Sequence, residues 1–317
     1  MIFYRFRKLW YSLSSVVFIV GIVAIIGWGL PLGIDFTGGN VAEITSTQNA
    51  ESLRTALHDN GIDALVQSTA KGTYLVKFTT PQNNASDASE VSPQALMTTA
   101  IKDTSTVLSF DSVGPTVGKS LQQKAISALV LASIAIIIYL AWAFRSVSRV
   151  VSAWSFGVIA VIALLHDAGI VTGLFAIIGH FNVAMSIDSY FITAILTVIG
   201  YSVNDTIVIF DRLREVLRAQ PNLAIGDAVE VSISQTLGRS LNTSLTVLLV
   251  LLPMLILGRG SLQSFLLALT LGVVIGTYSS IFIAAPLIAT WQNFKNRPRR
   301  PRTRRRGRGV GKAARER

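Results

Sequence analysis

A chain of 317 residues that is 51% hydrophobic and only 14% charged, with a mean hydropathy of +0.54, is no soluble domain, for which about 25% charged residues is usual. It has no cysteine, which excludes disulfides and thiolate metal sites, and its histidines, His58, His166 and His180, are too scattered for a zinc motif. The formal charge of +11 does not point to nucleic acid: residues 295–317 hold 12 Lys or Arg against Glu316 alone, and the rest balances at 16 basic and 16 acidic residues.

Arg5, Arg7 and Lys8 precede a charge-free stretch that runs to Ile34. It is longer than the core of a secretory signal and ends in Trp28, Gly29 and Pro31 without an A-x-A cleavage pattern. It predicts an uncleaved first transmembrane helix over 9–32, with residues 1–8 held in the cytoplasm by their charge.

Residues 33–120 differ in kind, being polar, with nine acids against five basic residues from Asp35 onward. Alternation predicts strands over 40–47, 64–68, 73–79 and 107–113. Helical spacing predicts helices over 51–60, where Leu53, Ala56 and Leu57 share a face and Gly61 stops the run, and over 94–103. The order β-α-β-β-α-β is the split-βαβ pattern of a ferredoxin-like α+β domain, expected outside the cytoplasm. It offers no set of nucleophile, base and orienting residue, so no enzymatic activity is assigned.

Residues 121–291 predict five further transmembrane helices, over 125–144, 150–179, 190–210, 240–258 and 264–291, with a cytoplasmic amphipathic helix over 223–237. The segments assigned to the cytoplasm, including the turn with Arg145 and Arg149, hold 21 of the 28 basic residues, which favours a six-span protein with both termini inside. Residues 292–317 form a basic tail of disorder-type composition, suited to anionic lipid.

Within the fourth span, Asp205 is the only charge between Tyr190 and Phe210. A carboxylate at the centre of such a helix costs about 2.5–3.5 kcal/mol, and residues of this kind mark proton or ion paths. Asn204 adjoins it. Arg239, Asn242, Thr243 and Thr246 fall at i, i+3, i+4 and i+7 on one face of the fifth span. Such a polar stripe faces protein or water rather than lipid, and the reading aims it at Asp205, unless Arg239 is simply a positive-inside anchor. His166 and Asp167 interrupt the third span, where they either extend the polar route or pair with neighbouring helices. Gly169-x-x-x-Gly173 and Gly272-x-x-x-Gly276 suit close helix packing. The glycine-rich loop Gly33-Ile34-Asp35-Phe36-Thr37-Gly38-Gly39 lacks the Lys-Ser or Lys-Thr of a phosphate-binding loop. With no ATP site and no cofactor implied, the energy source expected is an ion gradient.

Five stretches together, GIDFTGG (33–39), VGPTVG (113–118), LLHD (164–167), GYSVNDTIVIFDRLRE (200–215) and LGRSLNTSLT (237–246), resemble the SecF family, the smaller half of the SecD–SecF protein-export pair. The resemblance covers the chain to about Trp291 and implies half of an RND-type assembly: one span, an outer domain, then five spans. It implies SecD as the complementary half, the SecYEG channel and its unfolded translocating polypeptides as partners, and the bacterial cytoplasmic membrane as location. It implies proton-driven assistance to export, with Asp205 and Arg239 as the proton relay and Asn204, Asn242, Thr243, Thr246, Asp167 and His166 as auxiliary polar residues. The alternatives are half of an RND-type proton-coupled exporter of small molecules or lipids, for which the outer domain is small, and an assembly scaffold, which would not need Asp205.

Overall fold

The computed structural model describes residues 3–295 except 71, 80–91, 102–104, 146–150, 183–184 and 259. The basic tail beyond 295 and most of the turn from Arg145 to Arg149 lie outside the described residues.

The first helix, α1 (Arg7–Trp28), is apolar around its whole circumference and largely uncovered, as a lipid-facing span must be. Gly29 ends it at φ 78. A single helical turn, α2 (Ile34–Thr37), then leads into the sheet domain. Gly38 and Gly39 stand at φ 75 and 127, backbone that side-chain-bearing residues avoid. The reading as a loop thus missed one short turn of helix.

The domain follows the predicted order: β1 (Gly39–Ser46), α3 (Ala50–Asp59), β2 (Ala64–Ala70), β3 (Thr73–Phe78), α4 (Pro93–Ala100) and β4 (Ser105–Val113). The strands form one antiparallel sheet in the order β2-β3-β1-β4, the ferredoxin-like arrangement. Asn49 and Ser92 cap the two helices by accepting from the N–H groups of Ser52 and Ala95. Leu53 and Leu57 of α3 and Met97 of α4 bury against Ala42, Ile44 and Val76 of the sheet.

Five membrane helices follow. They are α5 (Pro115–Ala143), α6 (Ala153–Phe181), α7 (Ser189–Ala219), α8 (Ile225–Leu257) and a last run built from α9 (Gly260–Ser279), a π-helical turn (Ser280–Ala284) and α10 (Ala285–Lys295). With α1 they make six helices long and apolar enough to cross a membrane. The centre of the bundle is α6, α7 and the last run, packed through Phe156, Phe175, Phe191 and Phe210. The outer helices α1, α5 and α8 keep most of their apolar surface uncovered.

The separate amphipathic helix predicted over 223–237 does not exist as such; it is the first part of α8. Val229, Ile233, Thr236, Ser240, Ser244 and Leu251 form one continuous buried face, so nothing breaks the helix before the membrane. Gly238 alone costs a helix about 1 kcal/mol, too little to stop it. In the same way α7 continues to Ala219, past the predicted end at 210, because Leu213, Val216 and Leu217 stay in the core.

Both small-residue seams are close contacts. Gly169 and Gly173 meet Phe18 and Gly21 of α1, and Gly272 and Gly276 meet Val198 and Ser202 of α7.

Candidate functional site

Asp205 lies on the buried face of α7 that also carries Ser202 and Ile209. It is 3% exposed, and its Oδ2 has no hydrogen-bond partner among the described residues. A buried polar group left unmatched costs about 1–3 kcal/mol, more when charged. Arg239 acts on Asp205 electrostatically. The next residue, Thr206, pairs its hydroxyl with that of Ser280 at 2.8 Å.

The predicted stripe lies at the surface of α8. Arg239, Asn242, Thr243 and Thr246 are exposed, as is Asn204. Thr243 donates to Arg239 O and Thr246 to Thr243 O, both within α8. The face of α8 that meets α7 is the neighbouring one, where the Tyr201 hydroxyl donates to Ser244 Oγ at 3.1 Å. Hydroxyl-bearing Ser240 and Ser244 fill the contact and leave the larger stripe on the open side.

His166 and Asp167 form a second polar centre. Asp167 is 1% exposed, and both of its oxygens are matched. Oδ1 lies 3.0 Å from His166 Nδ1, and Oδ2 accepts from Ser202 Oγ at 2.8 Å and Ser279 Oγ at 2.7 Å. The other ring nitrogen of His166 bonds Ser14 of α1. One carboxylate therefore ties together four elements. The π turn brings Ser280 in directly after Ser279, and its hydroxyl donates to Ser202 O at 3.3 Å.

A third cluster sits where the outer domain meets the membrane helices. Asp188 caps α7, accepting from Phe191 N–H at 2.8 Å. Asp35, from the glycine-rich loop, accepts from Ser189 N–H at 2.8 Å. Burial pushes the Asp188 carboxyl up to about 6, and the charge of neighbouring Asp35 adds to the push. Burial likewise lowers Lys77 on β3, against the pull of Asp188. A cavity of about 510 Å3 opens here, lined by Asp35, Lys77, Asp111, Asp188 and Tyr190 among others. Nothing in the sequence pattern marks Asp35 for this position. Asp188 is marked, since an Asp directly before an apolar run is an N-cap pattern. Glu230 of α8, equally unmarked in the sequence, accepts from Phe3 N–H at 3.1 Å and Tyr4 N–H at 2.8 Å.

No group of acidic and histidine side chains suited to a metal occurs among the described residues.

Residues 94–294 match the family described as protein export membrane protein SecD/SecF, C-terminal, and residues 23–50 match the SecD/SecF GG motif. The chain is 40% identical to the protein translocase subunit SecF of Thermobaculum terrenum, over 91% of this chain and 93% of that one. It is 41% identical to the SecF of Anaerolinea thermophila, over 90% and 92%. The chain belongs to the SecD/SecF protein-export family. Among solved structures it resembles the crystal structure of SecDF from Thermus thermophilus, described as a translocon-associated membrane protein, with a TM-score of 0.79 at 31% identity. That match covers 92% of this chain and 39% of the SecDF chain, as expected if this chain corresponds to one part of the longer protein. The GG-motif match takes in the loop with Asp35.

Proposed function

We propose that this chain acts as the SecF half of a Sec translocase, paired with SecD, using the proton gradient of a bacterial cytoplasmic membrane to assist polypeptides leaving the SecYEG channel. The single observation that carries the proton role is the contrast between two buried carboxylates. Asp167 has every oxygen matched, whereas Asp205 has an unmatched Oδ2 and Arg239 within electrostatic reach. A fully bonded carboxylate resists a change of protonation. An unmatched one can take up a proton without breaking a bond, and a nearby guanidinium favours the ionised form when the proton leaves. Each proton moving down the gradient supplies about 2.3 kcal/mol per 100 mV. Relatives named as translocase subunits across nearly the whole chain favour export of polypeptides over export of small molecules.

The test is translocation into vesicles with and without a proton gradient, with the partner half present. Asp205→Asn keeps the shape and cannot titrate. It should insert and assemble normally yet lose the gradient-dependent part of export, leaving the ATP-driven part. Asp205→Glu should recover some of it. An undiminished gradient-dependent part in the Asn variant would refute the proton role.

A further inference from the structure

The helix that carries Asp205 is bonded to the stretch of chain that leads into the outer domain. Directly before α7, Ile187 N–H donates to Pro31 O, and Gly33 N–H donates to Ile187 O, each at 2.7 Å. Leu32 and Ile187 pair as a short parallel bridge. Two residues on, Asp35 Oδ2 takes the N–H of Ser189, the first residue of α7. These bonds fasten the outer end of α7 to residues 31–35. From there the chain passes through α2 into β1, which is a central strand bonded to both β3 and β4.

The same loop also holds the return connection. Gly118 of α5 packs on the loop so closely that a Cβ there would lie 3.1 Å from Phe36 O, and one on Gly38 would lie 3.0 Å from Pro115 Cα. The two chain crossings into and out of the sheet domain therefore meet in one block, and α7 is bonded to that block. Gly33 itself is tightly placed, since a Cβ would lie 3.0 Å from Asp188 Cβ.

Beside this block, where Lys77 of the sheet feels the charge of Asp188, lies an opening. The cavity of about 510 Å3 separates the sheet residues Val41, Leu75 and Lys77 from Ser186 and Tyr190 at the top of the bundle. A second contact, Gln67 Nε2 donating to Asn182 Oδ1 at 2.8 Å, lies at the outer end of α6 and leaves a pivot on that side. A domain held by a bonded block and a second contact, with a cavity between them, would tilt if the block moved.

We propose that Asp35 is a positioning residue that transmits movement of α7 to the outer domain, so that a change at Asp205 inside the membrane tilts the sheet outside it. This rests on the reading of Asp205 as the proton carrier. A carboxylate is well suited to such a joint. It takes a backbone N–H that α7 itself leaves unmatched, and a charge-assisted bond to an N–H is among the stronger kinds. The coupling needs no side-chain contact between Asp35 and Asp205. The helix between them is the connecting rod, stiffened by the tie of Ser202 to Asp167 and by the contacts of Gly272 and Gly276.

The experiment compares the unaltered chain with Asp205→Asn, Asp35→Ala and Asp35→Glu, each with its partner half in vesicles at matched membrane levels. Gradient-dependent translocation should fall in Asp35→Ala to the level of Asp205→Asn and persist in Asp35→Glu. The chain has no cysteine, so a disulfide can replace the lost tie. Leu32→Cys with Ile187→Cys, on the Asp35→Ala background, should restore gradient-dependent export when oxidised and lose it again when reduced. A merely structural role for Asp35 would not follow the state of that bond, and loss without rescue overturns the proposal. Full gradient-dependent export in Asp35→Ala, beside a deficient Asp205→Asn, overturns the coupling and leaves the proton reading standing. Full export in Asp205→Asn overturns the proton reading, and the coupling with it.

Discussion

The two membrane carboxylates differ by their bonds, and the difference sets what substitution does to each. Asp167 accepts from two serines and pairs with His166. Side-chain bonds between membrane helices contribute about 0.6 kcal/mol each on average, with a maximum near 1.7. Asp167→Ala should therefore lower stability in detergent by about 2 kcal/mol, measured as loss of helical signal on thermal or denaturant unfolding. Asp167→Asn keeps an acceptor for the serines and should cost less than about 1 kcal/mol. Asp205→Asn, which removes an unmatched charge, should cost nothing or stabilise. The reverse ranking, with Asp205→Asn the more damaging to stability, would make Asp205 the structural residue. Asp205 was legible in the sequence as a lone charge in an apolar run. The partners of Asp167 were not, because Ser202 and Ser279 come from helices 35 and 112 residues away, and serine in a membrane helix has no distinctive spacing.

At the level of elements, glycines and caps decide the outcome. Gly276 abuts α7 so closely that a Cβ would lie 2.8 Å from Ser202 Cβ, while Gly27 of α1 has nothing within 4 Å. Gly276→Val should cost about 1–3 kcal/mol through overpacking. Gly27→Ala should be neutral or stabilise by up to about 1 kcal/mol. Equal effects on unfolding would mean that the seam is not a close contact. The cap of α7 gives a pH dependence. Asp188 sits at about 6 in the fold, above its ordinary 3.8, chiefly through burial. The folded chain thus holds this proton more tightly than the unfolded chain does. That stabilisation is complete below about pH 3.8 and is lost as the pH rises through about 6. Unfolding in detergent should accordingly be harder at pH 5.5 than at pH 7.5, by about 0.8 kcal/mol from this group. Asp188→Asn should remove that part of the difference, and an unchanged pH profile in the variant would assign it elsewhere. The apolar runs located all six spans and the alternating runs all four strands. The ends of α7 and α8 were misplaced because a membrane boundary changes composition without breaking a helix. The buried faces of both helices continue through that boundary within one core.

For the whole molecule, the informative surface is the one left polar. Asn204, Arg239, Asn242, Thr243 and Thr246 are exposed on the α7–α8 side, among apolar neighbours such as Leu241, Leu245 and Leu249 that are exposed as well. Lipid offers such polar groups no partner, and residues of this kind turn to a bundle interior or a water-filled cavity. The sequence pattern found the stripe, and its direction could not be read from one chain, because the spacing of a polar face does not say which neighbour it meets. If this is the side on which the SecD half sits, Asp205 would lie between the two halves. Asn242→Leu with Thr246→Leu should then leave unfolding of the isolated chain within about 0.5 kcal/mol of the parent, since neither side chain is buried. The same pair should weaken co-purification with the partner half and reduce gradient-dependent export. Leu131→Ala on α5, 66% exposed on another outer helix, serves as the comparison and should leave both unaffected. Undiminished co-purification of the Asn242/Thr246 double variant would mean that this polar side does not meet the second half, and that Arg239 faces the headgroup layer as an anchor.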